Sequence, residues 1–321
     1  MQMNRDGKNY AVGSIMLMLA AFFWGTAFVA QSDAMSSIGP MTFSGLRSLL
    51  GGIVLIPIYL LTSGGKAREP FRRENIKKTL TAGAVCGVIM YFAMNLQQIG
   101  LMRASAGKAA FITALYIIFV PIFGSFMGKR PGALVWIGAC VATVGFYLLN
   151  VRAGEGFGLG FWEILVLICS VMFTFHILAV DKFVADMNAA LLSSMQFIVT
   201  GALSLATCFI DTAWLGYESL TPSVLGSVWF NIAYMGIFSC GVAYTLQIAG
   251  QRRVPSATAS LLMSFESVFA VLAAWLLMDE ALEPLQAIGC ALIFIAVVVA
   301  QIPGGKPKEK SVDTSDTLGG D

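Results

Sequence analysis

Ten apolar runs, each long enough to cross a bilayer, follow one another along this chain with only short polar breaks between them. A spanning helix takes roughly 20 mainly apolar residues. The runs fall at 12–31, 40–62, 79–99, 105–127, 133–151, 160–180, 190–210, 224–246, 255–277 and 285–302. Breakers separate most of them, among them Gly39-Pro40, Gly64-Gly65, Arg130-Pro131-Gly132, the Gly154–Gly160 stretch and Glu283-Pro284. Connections this short make consecutive helices neighbours. Only 12% of the 321 residues are charged, against about a quarter in a soluble domain whose surface must stay wet. The chain therefore reads as an all-α polytopic membrane protein with no room for a soluble domain.

The first run, preceded by Arg5 and Lys8 and ending in Ala30-Gln31-Ser32, has the flanks of a secretory signal. It is longer than a signal's apolar region of about 7–15 residues, so it reads as the first span. Lysine and arginine then set the orientation. With the N-terminus inside, sixteen of them lie on the inner side, including Lys66, Arg68, Arg72, Arg73, Lys77, Lys78, Lys129, Arg130, Lys182, Arg252 and Arg253. Only Arg103 and Arg152 fall outside, and Arg47 and Lys108 lie within spans. Ten spans thus predict a multi-pass protein of the cell membrane with both termini cytoplasmic, and a polar tail, 303–321, that is disordered there.

The halves align on each other at an offset near 150. Ala93, Leu96, Gln97, Gly100, Arg103, Ala109 and Phe119 recur as Ala243, Leu246, Gln247, Gly250, Arg253, Ala259 and Phe269. Five helices per half is an odd number, so the second half enters the membrane upside down. The expectation is two inverted-topology five-helix repeats, 12–151 and 160–302. Such halves offer two similar energy minima, one open to each side of the membrane.

The runs FFWGTAFVA at 22–30, AGKAAFITALYIIFVPIFG at 106–124 and SFESVFAVLAAWLLMDEALEPLQAIG at 264–289 resemble the two EamA-type domains of the drug/metabolite transporter superfamily. The resemblance covers roughly 12–302. It implies a ten-helix transporter with a central cavity lined largely by helices 1, 3, 4, 6, 8 and 9. The chain departs from the pattern where Phe173-Thr174 stands opposite Trp24-Gly25.

Glu266 is the leading candidate for function. An ionised carboxylate near the middle of a span costs at least about 2.5–3.5 kcal/mol, so it needs water, a cationic partner or a proton. It reads either as a cavity group that binds a substrate cation or coupling proton, or as a carboxyl locking helices together through Gln97 or Gln247. Arg47, about seven residues into helix two, is close enough to the outer face to snorkel, and its counterpart Gln196 favours packing over chemistry. Lys108, one turn into helix four, either snorkels or anchors an anion, with Glu266 as a conceivable partner. Trp24, Tyr116 and Trp275 are aromatic candidates for stacking on a ligand or packing between helices.

His176 has no second donor at ligand spacing and reads as a packed histidine, since metal sites need several donors. The six cysteines all sit in apolar runs without paired spacing and read as small buried residues. Ser256, Ser260, Ser264 and Ser267 form a close-packing seam turned away from Glu266. Gly83 with Gly87, and Gly124 with Gly128, have the spacing that lets helices approach; inside the molecule they pack spans, and at its surface they would support a homodimer. Pro57 and Pro121 predict kinks.

No Walker A sequence is present, so energy would come from the substrate's own gradient or from a proton gradient. No cofactor and no nucleic-acid partner are expected; the partners are a small-molecule substrate and the lipid bilayer. The leading function is a secondary transporter, an exporter or exchanger of a small metabolite such as an amino acid or related amphipathic compound, working by alternating access. The alternative is an intramembrane enzyme acting on a lipid or isoprenoid, although no HExxH, GxSxG or paired Asp motif supplies its chemistry.

Overall fold

A computed structural model describes residues 2–104, 106–150, 160–217, 220–277 and 283–301; at 2–6, 28, 29, 32, 106–108, 149, 150, 186, 273–277 and 301 it describes the backbone alone. Among the described residues every regular element is helical. Seven stretches are long and apolar enough to cross a membrane, and three shorter apolar helices cover Ala133–Leu148, Ser256–Leu272 and Pro284–Ala300. Over the described residues, each of the ten apolar runs is largely helical. The expected tail, 303–321, lies outside the described residues.

Helix α1 runs Gln2–Ala34, well beyond the expected 12–31, and is followed by α2 (Pro40–Thr62) and α3 (Ile76–Leu101). The fourth run is two helices, α4 (Ala106–Ala114) and α5 (Tyr116–Phe126), and α6 covers Ala133–Asn150. The second half holds α7 (Phe161–Phe183), α8 (Ala189–Ala206), the short α9 (Phe209–Ala213) and α10 (Pro222–Tyr234). A π-helical stretch, Met235–Ala243, leads into α11 (Tyr244–Gln251). The ninth run is again two helices, α12 (Ser256–Met263) and α13 (Phe265–Leu277), before α14 (Pro284–Gln301).

The interruptions at Leu115 and Ser264 are single residues that keep right-handed dihedrals. At each the turn tightens, with Leu115 N–H bonding Ile112 O and Ser267 N–H bonding Ser264 O, three residues apart. The Ser264 hydroxyl adds a bond to Leu261 O at 2.7 Å, the back-bonding that bends helices. Pro57 and Pro121, where kinks were expected, lie inside the continuous α2 and α5.

Solvent preference is inverted relative to a soluble protein. Leu61, Phe126, Trp229, Phe230 and Phe294 are exposed, while Ser44, Gln98, His176, Gln196 and Thr200 are fully buried. A hydrocarbon surround explains both, because apolar side chains are at home in it and polar groups must find partners inside the bundle. Ser194 donates to Gly52 O at 2.7 Å, tying α8 to α2. Thr200 donates to Gly87 O at 3.0 Å, tying α8 to α3, and Ser170 donates to Thr113 O at 2.8 Å, tying α7 to α4. Such bonds are worth about 0.6 kcal/mol each in a bilayer, so their effect is mainly to fix register.

The main pairings are α2 with α8, α6 with α14, α3 with α7 and α8, and α1 with α13, α11 and the π stretch. Gly83 and Gly87 face Met195 and Val199 of α8, so this pair packs inside the molecule. Gly124 and Gly128 do not form a matching seam. Gly128 sits at φ 81°, a left-handed turn that ends the helix. Of the cysteines, Cys86, Cys169 and Cys240 are buried as expected, whereas Cys140 is exposed and Cys208 and Cys290 are half-buried.

One polar anchor joins the halves near the start of α2. The Asp211 carboxylate, buried in α9, accepts from Met41 N at 3.0 Å, Thr42 N at 2.8 Å and the Thr42 hydroxyl at 2.7 Å. An anion on the free N–H groups at a helix start is favourable twice over, through hydrogen bonds and the helix dipole. Asp211→Ala should lower stability by about 2 kcal/mol, read as a lower thermal midpoint in detergent. Asp211→Asn should recover part of it, because its amide oxygen replaces one acceptor.

Candidate functional site

A cavity of about 60 Å³ lies among the helices and takes its wall from both halves. Trp24 and Gln31 come from α1, Arg47 from α2, Met94 and Gln97 from α3, Thr113 from α4 and Tyr116 from α5. Phe173 and Ile177 come from α7, Ser239 from the π stretch, Tyr244 and Gln247 from α11, Met263 from α12 and Glu266 from α13. These are the six helices the family resemblance implies, with Arg47 of helix two added. This volume is enough for a few waters.

Glu266 is 7% exposed and sits in the first turn of α13, directly after the break at Ser264. The Tyr116 hydroxyl, one residue after the break at Leu115, donates to Glu266 Oε1 at 3.3 Å. Helix α1 reaches this point because Gly25 has no side chain. A Cβ there would stand 2.5 Å from Glu266 O and 2.7 Å from Phe269 Cβ. The Trp24-Gly25 pair therefore does two jobs, one residue lining the cavity and the next letting α1 lie against α13.

The amides that sequence reading offered as partners of Glu266 are otherwise engaged. Gln97 Nε2 donates to Thr113 Oγ1 at 3.2 Å, and Gln247 Nε2 donates to Gln251 Oε1 at 3.1 Å. Trp24 meets the Tyr244 ring edge-on at 4.7 Å, and Phe197 and His176 pack on that ring from behind at 5.0 and 6.1 Å. His176 is a packed histidine, its Nε2 2.9 Å from Gln196 Oε1. Among the described residues no group of three His, Cys, Asp or Glu is placed to hold a metal.

Of the readings left open for Arg47, snorkelling does not hold: the side chain is 2% exposed and lines the cavity. Its Nη1 donates to Gln31 Oε1 at 3.0 Å and its Nη2 to Gln98 Oε1 at 3.4 Å, with the Phe43 ring 5.1 Å from the guanidinium carbon. The side chains of Lys108 and Trp275 lie outside the described residues. Gln31, Thr113, Ser239 and Tyr244 are cavity residues that sequence reading missed. Gln31 and Tyr244 carried a usable signal, being a buried-span polar residue and an aromatic one turn from Gln247.

Towards the end of the bundle where α5 and α7 finish, Lys129 forms an ion pair with Asp181 and donates to Ser256 Oγ at 3.3 Å. Both charged side chains are partly exposed, so the pair contributes little to stability. It nevertheless ties the ends of three helices below the cavity.

Fold and cavity together define a polytopic helical membrane protein with a chamber between its helices that is lined by apolar as well as polar side chains. The chain belongs to the EamA-like transporter family, whose model matches residues 11–151 and again 160–301. Among its relatives is an "uncharacterized transporter" of Archaeoglobus fulgidus, 25% identical and covering 92% of this chain and 88% of the relative. A second is the S-adenosylmethionine/S-adenosylhomocysteine transporter of Chlamydia muridarum, 24% identical over 87% of this chain and 90% of that one. A third is the "uncharacterized transporter" YwfM of Bacillus subtilis, 25% identical over 94% and 97%. A solved crystal structure shares the fold with a TM-score of 0.73 at 22% identity, covering 91% of this chain and 96% of its own. The protein is a membrane transporter and not an enzyme, which removes the lipid-modifying alternative.

Proposed function

We propose that the chain is a secondary transporter, an exporter or exchanger of a small metabolite such as an amino acid or related amphipathic compound, working by alternating access. In this reading ten helices span the membrane as two inverted repeats, 12–151 and 160–302, with both termini cytoplasmic. Glu266, Tyr116, Trp24 and Arg47 face the substrate, and Glu266 binds its cationic group or a coupling proton.

The observation that carries this reading is a pairing within the cavity wall. Trp24 and Phe173 are 149 residues apart, while Met94 and Tyr244, Gln97 and Gln247, Thr113 and Met263, and Tyr116 and Glu266 are each 150 apart. Ten of the fourteen lining residues are thus repeat counterparts. Counterparts touch only close to the axis that relates them, so the Tyr116–Glu266 bond favours a twofold axis running through the chamber. The helix pairings agree with it. Exchanging halves maps α2–α8 and α6–α14 onto themselves and turns α3–α7 into α1–α11 and α1–α13 into α7–α5. A chamber on such an axis is reached from either side by related motions.

Uptake and efflux of a metabolite panel in vesicles, with and without a pH gradient, tests the reading. The panel includes amino acids together with S-adenosylmethionine and S-adenosylhomocysteine, the compounds named for the chlamydial relative. Saturable flux of at least one compound is expected, and flux no greater than that of empty vesicles for the whole panel overturns it. Topology is tested separately in a background without native cysteines. On intact cells an impermeant thiol reagent should label Trp214→Cys and leave Arg72→Cys unreacted until the membrane is permeabilised. The reverse pattern would invert the orientation.

A further inference from the structure

We propose that the connection between α2 and α3, with the first turn of α3, is a binding site for anionic phospholipid, which holds phosphodiester headgroups of the bilayer on its arginines and lysines. The site lies apart from the chamber and does not depend on the transport reading.

Residues 66–78 carry six cations, Lys66, Arg68, Arg72, Arg73, Lys77 and Lys78, against two carboxylates, Glu69 and Glu74. All eight are exposed. Among the described residues none of Lys66, Arg68, Arg72, Arg73 and Lys77 enters an ion pair. Orientation in the membrane asks for less charge than this. The other inter-helix connections proposed to lie on the same side carry Lys129 with Arg130, Lys182 alone, and Arg252 with Arg253. The repeat counterpart of 66–78, at 215–227, has Glu218 and no lysine or arginine. Neither the repeat nor the orientation rule therefore accounts for so dense a cluster.

The cluster is held on the bundle. The Tyr59 hydroxyl donates to Ala67 O at 2.6 Å and the Thr79 hydroxyl to Pro70 O at 2.9 Å. Between these two anchors, one from the end of α2 and one from the start of α3, a 3₁₀ turn covers Glu69–Phe71, and Asn75 Nδ2 donates to Glu69 O at 3.1 Å. The backbone that carries Arg68, Arg72 and Arg73 is thus fixed at the rim of the spans. Leu60 and Leu61 at the end of α2, and Ile76 and Leu80 at the start of α3, are exposed there, and so is Phe71 between the arginines.

In a bundle surrounded by lipid those outward leucines meet acyl chains, so the cations beyond them meet the headgroup layer, where long basic side chains and aromatic rings settle. A guanidinium takes a phosphate through two parallel N–H groups, and an anionic leaflet attracts basic segments at the membrane surface. Free cations beside an apolar rim match a phosphate joined to acyl chains. A nucleic acid or an acidic protein would bring the charge without the apolar part.

The test titrates delipidated full-length protein in detergent with palmitoyl-oleoyl phosphatidylglycerol, or with phosphatidylcholine of the same chains, and reads bound lipid by native mass spectrometry. Phosphatidylglycerol should bind at least about tenfold more tightly. Arg72→Gln/Arg73→Gln should cut that preference to about threefold or less. Arg252→Gln/Arg253→Gln removes the same charge from exposed positions elsewhere and should leave the preference intact. Thermal midpoints confirm that both variants are folded.

Equal binding of the two lipids by the wild-type protein would overturn the assignment, as would an unchanged preference in Arg72→Gln/Arg73→Gln. Equal losses in the two variants would show diffuse attraction to net charge and overturn it as well. Displacement of the lipid by equimolar glycerophosphoglycerol, the headgroup without chains, would mark a site for soluble phosphates instead. Vesicle flux has no part in these readings, so the lipid site and the transporter reading stand or fall separately.

Discussion

Glu266→Gln should leave the protein folded and inserted while net transport falls roughly a hundredfold, the scale of removing one partner from a buried charge pair (about 3 kcal/mol). Glutamine matches glutamate in volume and still accepts a bond from the Tyr116 hydroxyl, so packing around α13 is preserved. What it lacks is negative charge and an exchangeable carboxyl proton. Any stimulation by a pH gradient should therefore vanish with it. A carboxyl that served packing alone would give a different pair of results: Glu266→Gln would transport normally, and Glu266→Ala would lose thermal stability. Near-normal, still pH-dependent flux through a well-folded Glu266→Gln protein would remove Glu266 from the transport site.

Gly25→Ala should cost about 1–3 kcal/mol, the usual penalty for overfilling a packed interface, and Gly25→Val more. The added carbon meets backbone, Glu266 O and Ala270 N, and neither can turn aside as a flexible side chain would. Relief comes only by moving α1 away from α13, and that shift displaces Glu266 from Tyr116. Stability and transport should consequently fall together. Gly226→Ala is the control, because a Cβ at Gly226 in α10 meets nothing within 4 Å, and alanine there should be neutral or stabilise by up to about 1 kcal/mol. Thermal midpoints and vesicle flux on the two variants decide it. A Gly25→Ala protein as stable and active as the wild type would show that the close approach of α1 to α13 is dispensable.

Much of this architecture is legible in sequence because a bilayer demands long apolar runs and penalises buried charge, and both leave marks in one dimension. Glu266 stands out for that reason, as a lone carboxyl in an apolar run. Arg47 stays undecided from sequence because depth along a single helix allows snorkelling. What holds it inside is Gln31 and Gln98, on two other helices, and their convergence has no local signature. Tyr244 leaves only the mark of an aromatic residue one turn from Gln247, and its place facing Trp24 has no local signature. The breaks at Leu115 and Ser264 are not legible either. Neither position carries a glycine or proline, and the prolines that do occur, Pro57 and Pro121, are absorbed inside continuous helices. The π stretch 235–243, which packs against α2 and α1, likewise has no periodicity of its own to announce it.

The two single-residue interruptions divide the fourth and ninth runs into pairs of short rods, each pair sharing one joint. A continuous helix resists bending along its whole length, so opening one end of a bundle of such helices would strain the other end. A rod pair concentrates the bend in one place and leaves both arms stiff. The joints lie one residue before Tyr116 and two before Glu266, which touch each other, so both fulcrums sit beside the chamber. An arm swinging outward on one side then leaves the residues at the fulcrum nearly stationary. In the proposed transport cycle such joints would let the walls part at one mouth, on the far side of the Lys129–Asp181 tie, while the residues at the centre keep their places.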